Sequence, residues 1–270
     1  MRAAGTTPAT WVRPLTRTPT KPMMTPTQPT QPTNRPRLRL FCFPYAGGGT
    51  WAYRGWADHL PDGVELHAIA LPGREARMAE RPVADLPTLL AELVPALRPR
   101  LDVPFAFFGH SMGAVLAWET ARAVQADCGR SPEHVFVSGS PPPSLVSTGV
   151  QDLPTLPDDE LVRRIAQLNG SPGEVLANAE LMELLLPTFR ADFTLLANYV
   201  PGAVDPPPAC PVTVFGGDHD PRAEPNSLGG WAEFTRDTPE VCVLPGDHFF
   251  LHSARDQLLA RVSAHLSARL

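Results

Sequence analysis

The stretch Phe105-Ala106-Phe107-Phe108-Gly109-His110-Ser111-Met112-Gly113-Ala114-Val115-Leu116-Ala117 decides the fold. An apolar, aromatic-rich run leads into Gly109-x-Ser111-x-Gly113, and an Ala-rich run from Ala114 to Ala126 leads out of it. The pattern reads as buried strand, sharp turn and helix. A serine carried from strand to helix in so few residues needs a strained backbone, and the flanking glycines let neighbouring chain pass without Cβ clashes. Its hydroxyl then stands above the sheet, beside the free N–H groups and positive dipole end of the helix that begins there. Five residues of this type also arise by chance in Gly- and Ser-rich turns; the strand before and helix after make Ser111 a nucleophile candidate.

Outward from this turn the chain alternates. Arg37 to Phe43 reads as a strand and runs into Pro44-Tyr45-Ala46-Gly47-Gly48-Gly49. A glycine triplet at the carboxyl end of a strand lets backbone amides face a ligand. A phosphate-cradling loop would need G-K-[ST] or G-x-G-x-x-G, and neither is present. Val64 to Ala70 is a second strand, followed by the turn Leu71-Pro72-Gly73-Arg74. The spacing of Leu86, Leu89, Leu90, Leu93, Val94 and Leu97 predicts a helix over Ala84 to Leu101, kinked or broken at Pro95. Val135 to Ser138, Pro211 to Phe215 and Val241 to Leu244 complete the strands, and a helix near Ala254 to Leu266 ends the chain. Such alternation predicts an α/β fold with a mostly parallel sheet covered on both faces. From Leu153 to Tyr199 only helical patterns occur, one opened by Pro157-Asp158-Asp159-Glu160 and another over Ala179 to Leu196. A helical insertion of this kind, roughly residues 143–208, is expected to be a lid over the site.

Composition bounds the rest. The 270 residues are 43% hydrophobic, enough for one large α/β domain, expected over 37–270. Residues 1–36 are Thr, Pro and Gln repeats that bury too little to offset chain entropy, and a disordered tail is expected there. No run of about 18 apolar residues exists and no secretory h-region opens the chain, so a cytoplasmic location without membrane association is expected. Cys42, Cys128, Cys210 and Cys242 form no C-x-x-C pair, and buried free thiols are expected. Residues 1–40 carry seven basic side chains and no acid, leaving 16 basic against 28 acidic, a balance of −12, in the remainder. So acidic a body excludes nucleic acid as a partner.

A serine hydroxyl needs an imidazole within reach and a carboxylate to orient that imidazole. Ser111, then an acid at a strand end, then His248 in the loop before the last helix follows the α/β-hydrolase order. Asp218 and Asp220 compete for the acid, Asp220 being favoured, with Asp247 a third candidate that adjoins His248. His110 and His219 read as local hydrogen-bonding partners.

Five blocks now make a resemblance specific: Phe43-Pro44-Tyr45-Ala46-Gly47-Gly48, Leu71-Pro72-Gly73-Arg74-Glu75, Gly109-His110-Ser111-Met112-Gly113, Gly217-Asp218-His219-Asp220-Pro221 and Gly246-Asp247-His248-Phe249-Phe250. In this order, from about Arg37 onward, they resemble the type II, or editing, thioesterases of polyketide and nonribosomal peptide assembly lines. The resemblance implies Ser111 as nucleophile, His248 as base, Asp220 as orienting carboxylate, and the amides of Ala46 and Met112 as oxyanion hole. It implies a carrier protein bearing a phosphopantetheine-bound acyl or peptidyl group as partner, removal of stalled or wrong groups as the task, and no metal or cofactor. Asp247 departs from the second glycine often found before that histidine, and the Pro/Thr tail exceeds the usual short start. Two rivals stand beside it: a free-standing esterase or lipase, and an inactive hydrolase fold that only binds.

Overall fold

The computed structural model describes residues 11–18, 35–168, 178–202 and 207–270. Seven strands form one sheet: β1 (Val12–Leu15), β2 (Leu38–Phe43), β3 (Val64–Ile69), β4 (Phe105–His110), β5 (His134–Ser138), β6 (Val212–Gly217) and β7 (Glu240–Leu244). Their spatial order is β1-β3-β2-β4-β5-β6-β7. β1 runs antiparallel to β3, and every other pair is parallel.

β4, β5 and β6 are buried at every position, as strands covered on both faces must be. Alternate residues go to opposite faces. Phe41, Phe43, Phe107, Val135 and Val137 share one core with α1 (Leu86–Leu97) and α2 (Met112–Cys128). Leu40, Cys42, Phe108, Phe136 and Phe215 share the other with the terminal helix α5 (Arg255–Ser267).

α1 is shorter than the sequence predicts. Asp85 caps it by accepting the Thr88 N–H at 2.9 Å, and Pro95 sits in its last turn. Without an N–H at Pro95 the helix closes two residues later and tightens into the 3-10 turn Arg98–Arg100.

The expected disordered tail needs correction. Residues 11–18 belong to the sheet edge: Trp11 and Val12 are buried, Val12 stands opposite Ile69, and Trp11 O accepts the Ala70 N–H at 2.9 Å. The Arg77 guanidinium lies 4.2 Å from the Trp11 ring centroid. Trp11, Val12 and Leu15 are apolar residues within a polar stretch, and they gain burial and a ladder from a distant partner. Residues 1–10 and 19–34 of the expected tail lie outside the described residues. The thiols need correction too. All four are free, but Cys128 ends α2 exposed and Cys242 is only half-buried.

Between β5 and β6 the chain makes the 3-10 turns Pro143–Leu145 and Leu153–Thr155, then α3 (Asp158–Gln167) and α4 (Ala179–Ala197). This is the helical insertion expected from the sequence; its residues 169–177 and 203–206 lie outside the described set. Among the described residues, no helix is long and apolar enough to cross a membrane.

Candidate active site

The strand order reverses at β2, with β3 on one side and β4 on the other, so the loops leaving β2 and β4 flank the crevice of a parallel sheet. Ser111 is the residue between β4 and α2. Its φ of 54° and ψ of −119° lie where a non-glycine residue is strained, a cost on the order of 1–3 kcal/mol that the surroundings must hold. Part of the holding is direct, since the Ser111 N–H donates to Ser138 O on the neighbouring strand at 2.8 Å.

His248, buried in the loop after β7, brings Nε2 to 3.0 Å from Ser111 Oγ. On its other side Nδ1 lies 3.0 and 2.9 Å from Asp220 Oδ1 and Oδ2. Asp220 Oδ1 also accepts the N–H groups of Arg222 and Ala223 at 2.8 and 3.2 Å, which fixes the carboxylate from behind. Serine, imidazole and carboxylate form one hydrogen-bonded line. Of the other candidate acids, Asp218 accepts the Gly246 N–H at 2.8 Å and lies 2.6 Å from Nδ1 of the exposed His219. Asp247 Oδ1 accepts the Phe249 N–H.

Ala46 lies in the loop after β2 and Met112 begins α2. Neither amide donates to another described residue, and at a first helical position such an amide has no acceptor within the helix.

A cavity of about 220 Å³ opens on Ser111 and His248. Tyr45, Ala46 and Phe249 form one part of its wall; Leu153, Ile165, Phe189, Phe193 and Leu196 of the insertion form much of the rest. Two guanidinium groups also reach the wall. Arg222 donates to Gly149 O at 3.1 Å, and Arg164 lies 3.5 Å from Asp152.

A family model described as the thioesterase domain matches residues 38–266. The chain belongs to the thioesterase family. Gramicidin S biosynthesis protein GrsT of Aneurinibacillus migulanus is 41% identical to this thioesterase over 223 residues, covering 83% of this chain and 86% of the relative. The structure of the RedJ thioesterase from the prodiginine pathway of Streptomyces coelicolor superposes with a TM-score of 0.79 at 38% identity, covering 91% of each chain. YbtT, a type II thioesterase from the yersiniabactin NRPS/PKS pathway, superposes with a TM-score of 0.78 at 27% identity, covering 96% of this chain and 99% of that one. The fold is therefore the α/β-hydrolase fold of thioesterases, and thioester hydrolysis is the reaction class.

Next to the hydrogen-bonded line of Ser111, His248 and Asp220, His110 serves packing. It is fully buried, Nδ1 lies 2.9 Å from Ser138 Oγ, and burial, then the charges of His248 and His252, hold its pKa well below the usual histidine range. His134, whose Nε2 lies 2.8 Å from Thr213 Oγ1, is pushed down to about 3 by burial, helped by Arg269 and His265. In the unfolded chain both would titrate near 6.5. Their stabilising contribution is whole above that pH and is lost as pH falls through it toward the folded values, because the unfolded state then binds more protons. The urea midpoint is expected to fall from about pH 7 to about pH 5, a window largely above carboxylate titration. His134→Gln should fall less steeply. Equal slopes would show that His134 is not held neutral.

The structure brings together Ser111, Asp220 and His248, the set the sequence groups, whereas the sequence gives no role to Arg74, Glu75 or Asp192. Arg74 and Asp192 are both buried and form a bidentate ion pair beside the glycine loop. Their separation by 118 positions leaves no local signal; the only hint was the unexplained Leu71-Pro72-Gly73-Arg74-Glu75 block.

Proposed function

We propose that the protein hydrolyses acyl or peptidyl thioesters on the phosphopantetheine arms of carrier proteins, clearing stalled or aberrant groups in polyketide or nonribosomal peptide biosynthesis. The carrying observation is the unbroken line Ser111–His248–Asp220 opening on a cavity walled by the insertion. Relatives from gramicidin S and NRPS/PKS pathways support the substrate class. A cytoplasmic place of action goes with this reading.

Ser111 Oγ attacks the thioester carbonyl as its proton passes to His248 Nε2, while Asp220 holds the opposite nitrogen protonated and stabilises the imidazolium. The tetrahedral oxyanion is met by the Ala46 and Met112 amides and the positive end of α2. Collapse breaks the C–S bond, and the imidazolium returns its proton to the pantetheine thiolate. Water then gives its proton to His248 and attacks the acyl-Ser111 ester, a second tetrahedral adduct collapses, and the free acid leaves with Ser111 reprotonated. The insertion acts as a lid that shapes the acyl chamber.

The test compares an acyl-loaded carrier protein with a p-nitrophenyl ester of the same acyl group, alongside labelling by a fluorophosphonate. The reading expects labelling at Ser111 and a higher kcat/KM on the carrier thioester. Preference for the oxygen ester would point to a free-standing esterase, and absence of labelling to a binding protein.

A further inference from the structure

We infer that Arg74 and Asp192 are a positioning pair that sets the direction of the Ala46 amide and ties it to helix α4 of the insertion. The inference rests on the acyl-enzyme reading of Ser111 and deepens it. The peptide unit carrying the Ala46 N–H carries the Tyr45 carbonyl on its opposite edge, and one rigid plane holds both. Tyr45 O accepts the Gly48 N–H at 2.9 Å, so whatever fixes Gly48 fixes the direction of the Ala46 N–H.

Arg74 and Asp192 do the fixing. Arg74 Nη1 donates to Gly48 O at 3.1 Å and to Asp192 Oδ2 at 2.8 Å, and Nη2 donates to Asp192 Oδ1 at 2.8 Å. Asp192 Oδ2 also accepts the Gly47 N–H at 2.8 Å. Gly47 has a φ of 72°, and a Cβ there would stand 2.1 Å from Phe189 of the same helix, so loop and helix are in close contact. One turn before Asp192, Thr188 Oγ1 donates to Gly73 O at 2.7 Å. Farther along the loop, Glu75, itself at a φ of 50°, accepts from Thr50 Oγ1 at 2.7 Å and from the Trp51 N–H at 3.1 Å.

A buried ion pair is weak evidence of a stability role, because an apolar pair of similar size often replaces it without loss. Here both partners also bond the backbone of one loop, Arg74 at Gly48 O and Asp192 at the Gly47 N–H, while Arg74 Nε donates to Pro72 O at 3.3 Å. Between the bonded amides of Gly47 and Gly48 and the strand β2, the Ala46 amide donates to no described residue, and Ala46 lines the cavity beside Ser111. The insertion therefore does more than wall the chamber: its helix carries one half of the device that aims an oxyanion donor.

The experiment uses the full chain with Arg74→Met/Asp192→Leu, which replaces the pair by apolar groups, and with Asp192→Asn. Each is assayed on a p-nitrophenyl ester and against an alkyl boronic acid, whose adduct on Ser111 mimics the tetrahedral species. In folded double variant, kcat is expected to drop about 10²–10³-fold, the size of a lost oxyanion donor, with KM within about threefold and the boronate Ki rising in step with the loss of kcat/KM. A folded variant that keeps kcat within about threefold of wild type overturns the inference, as does a loss of kcat with an unchanged boronate Ki. Should the double variant not fold, Asp192→Asn is read by the same criteria. Failure of the carrier-protein reading appears in the wild type's substrate preference, whereas failure of this inference appears in the ratio of variant to wild type.

Discussion

Asp220→Asn is expected to lower kcat/KM by about 10⁴-fold while leaving the melting temperature nearly unchanged, and Asp218→Asn to lower it by less than about tenfold. The geometry gives the reason. Asp220 Oδ1 is pinned by the Arg222 and Ala223 amides, so the asparagine oxygen will take that place and its NH₂ will take the place of Oδ2, 2.9 Å from His248 Nδ1. An NH₂ there can only donate. Donation from that NH₂ favours an unprotonated Nδ1 over the retained oxygen 3.0 Å from the same nitrogen, and the proton then sits on Nε2, facing Ser111 Oγ, where it blocks uptake of the serine proton. The fold survives because both backbone bonds survive. Asp218 only accepts the Gly246 N–H and pairs with exposed His219, and an asparagine oxygen still accepts from Gly246. Steady-state kinetics with thermal melts decide it, and the opposite ranking of the two variants would transfer the orienting role to Asp218.

What could be read from the chain divides by range. β4, the turn at Ser111 and α2 were legible because strand, glycines and helix are contiguous, and His248 because a histidine in the last loop before the terminal helix is marked by position alone. Asp220 over Asp218 was a choice between neighbours; its basis, two amides behind Oδ1, belongs to the fold of the loop. The edge strand β1 was missed since its ladder is with β3 some fifty residues away and its surroundings are proline and threonine. It also alters the charge picture. Arg17 and Arg35 of the basic, acid-free N-terminal stretch lie 2.7 Å from Asp62 and Asp102, and Arg39 pairs with Glu65 at 2.8 Å, so part of that excess is spent on acids of the body. Among the apolar residues of α4, sequence pattern could not separate core from chamber. Phe189, Phe193 and Leu196 line the cavity, Met182 and Leu195 are core that does not, and Leu184 is exposed.

Gly113→Ala is expected to cost about 10²–10³-fold or more in kcat/KM and about 1–3 kcal/mol in stability. A Cβ at Gly113 would lie 2.0 Å from Phe43 O and 2.9 Å from Pro44 O. Both obstacles are backbone, so no change of rotamer relieves them. Either the end of β2 or the start of α2 must retreat, and those two segments carry the amides of Ala46 and Met112. Stability suffers modestly, because the sheet and both cores can remain formed while one junction opens. Activity suffers more, since an oxyanion donor displaced by a fraction of an ångström no longer meets the charge that develops on the acyl oxygen. The same reasoning separates this site from a harmless one: Gly229 has nothing within 4 Å of an added Cβ, so Gly229→Ala should retain activity and melt near the wild type. Parallel kinetics and melts of the two variants check the argument. Full activity in Gly113→Ala would mean that the junction of β2 and α2 does not set the oxyanion donors, and the hole would have to be sought in other amides.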